Sequence, residues 1–278
     1  MMINRIRLPA VALPLTLLIA GCTSVDLKEA GTLTSYDHLG LSRGKFTKSR
    51  TYVDATGLST VKKVTIVPAT FALAAASRVK SPQDRSLVTK ALDRAVCVAL
   101  SDKFIVVAPG QPADLTIRAV VTDIVVTNKT MAGVSTAVTL GSSAVLPVGI
   151  PRLPVGLGGL AIEAEAVDPK GTQRAAVVWS KGANSITNNA RVSDIGDAYS
   201  LASNFGSYFG RMIITGKVPK GLQLSLPSSQ RMKSALGGKP KYAACDAFGR
   251  SPDVLGMVAD KVGAPPGWTD KSAKTPSQ

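Results

Sequence analysis

Histidine is almost absent from this chain of 278 residues, in which His38 is the only one. A Ser-His or Cys-His catalytic arrangement therefore has a single available base, in a Thr-, Ser- and Gly-rich stretch where no orienting partner is predicted. Tetrahedral zinc sites need clusters of His and Cys, which one histidine and three scattered cysteines do not furnish. We therefore expect no metal, no other cofactor and no catalysis of these kinds.

Acidic residues are also few: 18 Asp and Glu stand against 33 Lys and Arg, a formal net charge of +15. The basic residues are spread along the chain rather than gathered in one run, which is typical of a solvated basic surface. No basic motif is interleaved with aromatics, and aromatics make up only 5% of the residues. The sequence therefore does not predict a nucleic-acid partner.

The most apolar run of the chain is too short to cross a bilayer. It covers residues 8–20, follows Arg5 and Arg7, and contains two prolines, whereas a spanning helix needs about 20 apolar residues. A charged start followed by a short apolar run is typical of a secretory signal peptide. We assign residues 1–21 to such a signal.

The end of that run, Leu-Ile-Ala-Gly-Cys at residues 18–22, resembles the lipobox of bacterial lipoproteins. The resemblance implies that the signal is removed before Cys22 and that Cys22 carries acyl chains, which anchor the chain stably when there are two or more. The alternative is an ordinary signal with an incidental cysteine. Thr23, rather than Asp, follows the cysteine, which in the resembled family implies the outer membrane, with the domain facing the periplasm.

Two cysteines remain, Cys97 and Cys245. In an oxidising compartment an even pair is compatible with a disulfide, which would tie the C-terminal segment to the domain. Because cysteine is also a common buried residue, two separate buried thiols are the other interpretation.

Residue periodicity predicts an α+β fold with a mixed, mostly antiparallel sheet, two helices packed on one face and an irregular C-terminal extension. Domain bounds are predicted as a lipid-anchored tether at 22–60, a periplasmic α+β domain at 61–215 and a basic, Pro- and Gly-rich extension at 216–278. We expect the tether to settle onto the domain around Tyr36, Leu39 and Tyr52. Glycines in the second helix predict close packing of its backbone on the sheet. The elements predicted from the sequence are strands at 62–69, 104–110 and 113–128, a hairpin at 160–180 turning at 168–171, and helices at 81–103, 193–214 and 251–261.

Glu163 and Glu165 are the best candidates for acid-base chemistry. They stand two apart on one predicted strand, so their side chains share a face, with Arg174 available across the hairpin. Paired carboxylates can serve glycoside cleavage. The favoured interpretation is a solvated or salt-bridged sheet face, because opposite charges across strands are ordinary stabilising pairs.

Residues 131–160 carry one charge, Arg152, among many apolar residues. Their prolines and glycines argue against a continuous helix. Three interpretations stay open: a long loop over the sheet, an oligomer or partner surface, and a membrane-entering hairpin of an assembled barrel. The residues of the candidate partner surface are Val148, Ile150, Leu153, Val155 and Leu157.

Several short motifs, in this order, resemble a family of proteobacterial lipoproteins catalogued as domain of unknown function 3313. They are GTLTSYDHL, TYVD, VTIVPAT, ADLTIRAVVTDIVVTN and GLGGLAIEAEAVDPKGTQRAA, within residues 31–176. The resemblance brings no activity. At the level of the fold alone, the element order is also similar to periplasmic adaptor lipoproteins.

These observations predict an outer-membrane lipoprotein whose periplasmic domain catalyses nothing and acts as an adaptor or structural partner in the cell envelope. Its expected partners are the membrane, through the acyl chains, and a protein or peptidoglycan. The alternatives are a subunit of an oligomeric export or channel assembly and a cell-wall enzyme using Glu163 and Glu165.

Overall fold

The computed structural model describes residues 24–143, 152–219 and 228–271. Within these ranges the strands are β1 (Thr47–Val53), β2 (Lys63–Ile66), β3 (Thr70–Phe71), β4 (Ile105–Val107), β5 (Leu115–Val125), β6 (Gly159–Val167) and β7 (Gln173–Gly182). The helices are α1 (Ala55–Ser59), α2 (Leu73–Ala76), α3 (Pro82–Leu100), α4 (Lys129–Ser143), α5 (Gly196–Thr215), α6 (Ser229–Ala235), α7 (Val254–Lys261) and α8 (Pro266–Thr269), with a 3₁₀ helix at Ala243–Phe248.

The strands form one sheet in the order β1-β7-β6-β5-β2-β4, with β3 beside β5. The pairs β1–β7, β7–β6 and β6–β5 are antiparallel, whereas β2 runs parallel to both β4 and β5. The prediction of a mixed, mostly antiparallel sheet in an α+β fold is confirmed.

Helices α3 and α5 pack on one face of the sheet. Ser81 caps α3 by accepting a hydrogen bond from the backbone N–H of Asp84 at 3.1 Å, and Pro82 follows in the first turn, as the sequence predicts. The core between helices and sheet includes Trp179 of β7, whose ring meets Phe205 of α5 edge-on at 5.4 Å. Alternate residues of β5, β6 and β7 point into this core.

Close packing by glycine occurs between the two helices, not between a helix and the sheet as expected. A Cβ built on Gly206 would lie 2.4 Å from the Cβ of Ala95 in α3, and one on Gly210 would lie 2.4 Å from the Cβ of Ala99. The glycines of α5 therefore let the backbones of α3 and α5 approach each other.

Over their described part, residues 22–60 lie on the domain around Tyr36, Leu39 and Tyr52 and also add a strand to its sheet. β1 is an edge strand of the sheet, paired with β7 from Thr47–Lys181 to Val53–Ala175. Before it, residues 24–40, which we call the strap, lie on the face of the sheet opposite α3 and α5. Leu33 and Leu39 of the strap pack there against Ala176 and Val178 of β7.

Two further differences concern segments predicted to be irregular. The first part of residues 131–160 is helical, since α4 continues to Ser143; the prolines that argued against a helix all follow it. The extension after residue 215 contains α7, which corresponds to the helix predicted at 251–261, and also α6, the 3₁₀ helix and α8, which were not predicted. Residues 228–271 form a layer, the C-terminal layer, outside α3.

Candidate functional site

Glu163 is fully buried beneath the strap and accepts hydrogen bonds from it at both oxygens. The backbone N–H of Ala30 and the hydroxyl of Tyr36 donate to Oε1, each at 2.8 Å. The backbone N–H of Thr32 donates to Oε2 at 3.2 Å, and the hydroxyl of Thr32 donates to the same oxygen. Every bond in this set comes from the strap, so the carboxylate holds the strap on the sheet.

Glu165 makes a second set of contacts two residues along the same face. The backbone N–H of Thr34 donates to its Oε2 at 2.8 Å, as does the side-chain amide of Gln173. Arg118, on neighbouring β5, donates to Oε1 at 2.6 Å. Glu165 is therefore paired with a cation and fixed to the strap at once, which meets the requirement that a buried charge be paired and hydrogen-bonded.

The cation at this pair differs from the one predicted. Arg174 contacts neither glutamate; it bonds Asp168 and Asp54, each at 2.7 Å. Asp168 caps the β6–β7 turn, where a hydrogen bond from the backbone of Thr172, followed by the contact with Arg174, holds the pKa of its carboxyl below the ordinary value. Arg174 thus joins the hairpin turn to the cap of α1, whose residue Asp54 accepts from Gly57.

The carboxylate pair lies under the strap and is saturated with donors. Burial, and then the hydrogen bond to Glu163, raise the pKa of the Tyr36 hydroxyl, so that Tyr36 remains a donor to Glu163 up to a higher pH than an exposed tyrosine would. The sheet face is salt-bridged as favoured from the sequence, but it is buried rather than solvated. In this arrangement the carboxylates clamp the strap and are not open to a polysaccharide.

The strap begins at one particular end of the sheet. We call it the anchor end: the end where β1 and β6 begin and β5 and β7 finish, with Gly159 paired to both Val125 and Gly182. Val25 is buried there, and its carbonyl accepts from the Ser180 hydroxyl at 2.8 Å. Cys22 lies outside the described residues, three positions before Val25.

The lone charge of the apolar segment is buried at the same end. Arg152 donates to Asp197, in the first turn of α5, with an Nη2–Oδ2 distance of 3.0 Å. Asp197 also accepts from the backbone of Gly158 at 2.7 Å and from Thr127 at 3.1 Å. This buried pair fastens the 152–158 loop to the helix layer.

The candidate partner surface in the apolar segment lies partly within the described residues. Val148 and Ile150 lie outside the described residues. Leu153 is half-buried and Val155 is exposed, whereas Leu157 is buried and so does not belong to an exposed surface. The sequence interpretation of Leu157 is corrected here: it packs beside Gly158, where the loop is fastened to Asp197.

The C-terminal layer is fastened to α3 and α5. Cys97 and Cys245 are joined by a disulfide, with Cα atoms 5.9 Å apart. Arg94 of α3 donates to Asp270 at 2.8 Å, and the hydroxyl of Tyr199 donates to the same carboxylate. Because the two helices and the layer share these buried groups, residues 228–271 are part of the folded unit.

The outer surface of that layer is apolar, which the sequence analysis did not predict. Leu255, Val258 and Val262 form a stripe along α7 at helical spacing and are exposed. Trp268 of α8 is 82% exposed and lines a surface cleft together with Leu255. The sequence does show an apolar period over residues 254–262. That period does not distinguish a stripe that faces the core from a stripe that faces the solvent. We call these four residues the C-terminal apolar surface.

The remaining expectations concern the single histidine, metal sites and membrane-spanning helices. His38 is exposed and its ring lies 5.0 Å from that of Tyr52. Within the described ranges, no group of three or more His, Cys, Asp or Glu side chains is placed to hold a metal ion. No helix in those ranges is both long and apolar enough to cross a membrane.

Comparison with known proteins identifies the family of the chain. The family model described as "Protein of unknown function (DUF3313)" matches residues 28–209, from the strap into α5, which confirms the resemblance predicted from the sequence. No curated protein matches the chain.

Two solved structures that match are PelC dodecamers from Paraburkholderia phytofirmans, one of them a point variant. Each is 10% identical to this chain. For the variant the TM-score is 0.34, and the match covers 58% of this chain and 95% of the PelC chain. For the other structure the TM-score is 0.37, and the match covers 62% of this chain and 99% of the PelC chain. At these TM-scores the likeness carries no conclusion about the assembly of this chain.

Proposed function

Because the chain belongs to DUF3313, a family of proteins of unknown function, its role must be argued from its own residues, and we propose that it is an outer-membrane lipoprotein. In this proposal Cys22 is acylated, and the periplasmic domain is a non-catalytic adaptor that binds a protein partner.

The observation that carries the proposal is that the strap is fixed on the sheet from its first residues. Val25 is buried on the sheet only three residues after the lipobox cysteine, and Glu163 and Glu165 hold the strap that follows. Three residues reach at most about 10 Å. Acyl chains on Cys22 would therefore hold a folded domain directly at the membrane rather than through a long flexible linker.

The disulfide supports an oxidising compartment. Disulfides persist in the periplasm and are rare in the cytosol, and Cys97–Cys245 links the C-terminal layer to α3. Thr23 supports the outer membrane, because in the lipoproteins that this signal resembles Asp at the same position implies retention at the inner membrane.

A protein partner is supported by the C-terminal apolar surface. Exposed apolar side chains grouped around a tryptophan are typical of contact surfaces between proteins. A peptidoglycan site would instead need convergent polar groups, and Leu255, Val258 and Trp268 present none. The non-catalytic role rests on the clamped state of Glu163 and Glu165.

Acylation is tested by metabolic labelling with an alkyne analogue of palmitate. We expect label on the wild-type chain in the outer-membrane fraction and no label on Cys22→Ala. A wild-type chain without label, or one recovered with the inner membrane, would count against the anchor or its address.

Partner binding is tested by crosslinking in intact cells followed by recovery of the lipidated protein. Trp268→Ala should lose its crosslinked species, whereas Leu41→Ala should keep them, because Leu41 is 88% exposed but lies beside β1 on the other side of the molecule. Equal crosslinking of the two variants would contradict a partner at the C-terminal apolar surface. Release of cell-wall fragments by the purified protein, abolished in Glu163→Gln, would contradict the non-catalytic role.

A further inference from the structure

The anchor end of the sheet carries apolar side chains that the core does not use. Phe46 directly precedes β1 and Val126 directly follows β5, and both are exposed. Val155 lies in the loop that enters β6, and Ile186 in the loop that leaves β7; both are exposed too. These four residues, the anchor-end residues, therefore come from four separate segments that meet at one end.

The fold holds two of these segments firmly. The side-chain oxygen of Asn184 accepts from the backbone of Ile186 at 2.9 Å and from that of Thr187 at 2.8 Å. This turn presents Ile186 outward, at 76% exposure. On the entering side, the carbonyl of Gly158 accepts from the backbone of Ala183 at 2.9 Å, so the loops around β6 and β7 are joined to each other.

The opposite end of the sheet is polar by comparison. The β6–β7 turn there is Asp168-Pro169-Lys170-Gly171, stabilised by hydrogen bonds to Asp168 and by Arg174. Asp114 caps the start of β2 at that end by accepting from the backbone of Lys62 and Lys63. Ile105 is exposed at this opposite end too, where it pairs with Lys63, whereas four exposed apolar side chains from four segments lie at the end where the strap starts.

We infer that the anchor end rests on the lipid surface, with the anchor-end residues in the interfacial region of the bilayer. This inference rests on the proposed acylation of Cys22. Val25 is fixed at the anchor end, and three residues allow at most about 10 Å between it and the acylated cysteine. The lipid is then the nearest apolar medium to these four side chains. Binding to the interfacial region of a bilayer becomes stronger as more apolar surface is buried in it.

The test uses the native lipidated chain in vesicles of phosphatidylethanolamine and phosphatidylglycerol. With Cys22 acylated and the other two native cysteines in a disulfide, an introduced cysteine is the only free thiol and accepts a fluorophore. Ile186→Cys and Val155→Cys probe the anchor end. Ile105→Cys is the control, because Ile105 is 46% exposed, against 45% for Val155, and pairs with Lys63 at the opposite end.

Quenchers attached to the lipid acyl chains should reduce the fluorescence at positions 186 and 155 at least threefold more than at position 105. If the chain floats with the vesicles but the quenching is equal at the three positions, the inference is overturned, whereas the proposed acylation of Cys22 still holds. Protection of positions 186 and 155 from a water-soluble quencher without lipid quenching also overturns it, in favour of a protein cover. A chain that does not float overturns the anchor and, with it, the inference.

Discussion

Replacing Glu163 by Gln preserves the shape of the side chain but removes its charge, and we expect this change to loosen the strap. The carboxylate accepts from two backbone N–H groups, of Ala30 and Thr32, one at each oxygen. An amide has only one oxygen. In either orientation, therefore, the NH₂ group of the new side chain would face one of these backbone donors and leave it without an acceptor.

The magnitude follows from the bonds affected. A donor deprived of its partner costs about 1–3 kcal/mol, and bonds to a charged acceptor are worth about 1.5–3 kcal/mol against about 1 kcal/mol for neutral ones. Since the strap can turn some of its donors to water, we expect the free energy of unfolding to fall by about 2–3 kcal/mol. That is a large share of the roughly 5–15 kcal/mol typical of a domain.

Urea unfolding and amide hydrogen exchange over residues 24–40 measure the two consequences. Glu29→Gln is the control, because Glu29 is on the same strap and pairs at the surface with Arg50, a kind of contact worth about 0–1 kcal/mol. If Glu163→Gln unfolds within about 0.5 kcal/mol of the wild type and its strap amides exchange at wild-type rates, the carboxylate does not hold the strap and our account of the site is wrong.

Three further changes test the rest of the fold. Burial raises the pKa of the Asp93 carboxyl to about 7, so the folded state binds this proton more tightly than the unfolded chain. The contribution of Asp93 to the free energy of unfolding should therefore fall by about 1 kcal/mol per pH unit as pH rises from about 4 to 7, and urea unfolding of Asp93→Asn should lack this contribution. Gly206→Ala places a methyl group 2.4 Å from a side chain of α3 and should lower thermal stability by about 1–3 kcal/mol, while Gly141→Ala, in open space on α4, should not lower it; equal effects would refute the close helix contact. Joint replacement of Cys97 and Cys245 by Ser, 148 positions apart, should cost about 2–5 kcal/mol and expose the C-terminal layer to limited proteolysis, and an unchanged digest would show that the ion pairs alone hold it.

The helix layer and the hairpin were predictable because their signals are local. Ser81 and Pro82 mark the start of α3 by capping chemistry, and the turn at 168–171 fixes the register of β6 and β7. The α4 helix was missed for a local reason as well. Prolines in a shared window argued against it, yet they lie after Ser143, where the helix has already ended.

The sequence placed the apolar contacts of the strap around Tyr36, Leu39 and Tyr52, and these residues do pack in the cluster on the sheet. The polar contacts of the strap were missed because its partners are remote. Residues 24–40 show no apolar period, and their backbone N–H groups bind carboxylates that follow 131 and 133 positions later. Backbone donors carry no side-chain signature, so the contact leaves little trace in the sequence. For these polar contacts the sequence offered the pair Thr32 and Thr34, spaced two apart like Glu163 and Glu165 and matched to them in the structure.

That matched spacing changes the meaning of the carboxylate pair. Every residue of β6 is buried, and a buried charge must be neutralised by donors close at hand. Arg118 supplies one for Glu165, whereas Glu163 depends on the strap. The N-terminal segment is thus required for the sheet to bury Glu163. If Cys22 is acylated as proposed, a pull on the anchor acts on these hydrogen bonds within a few residues, so the same two glutamates that were candidates for catalysis would set how the domain is held at the membrane.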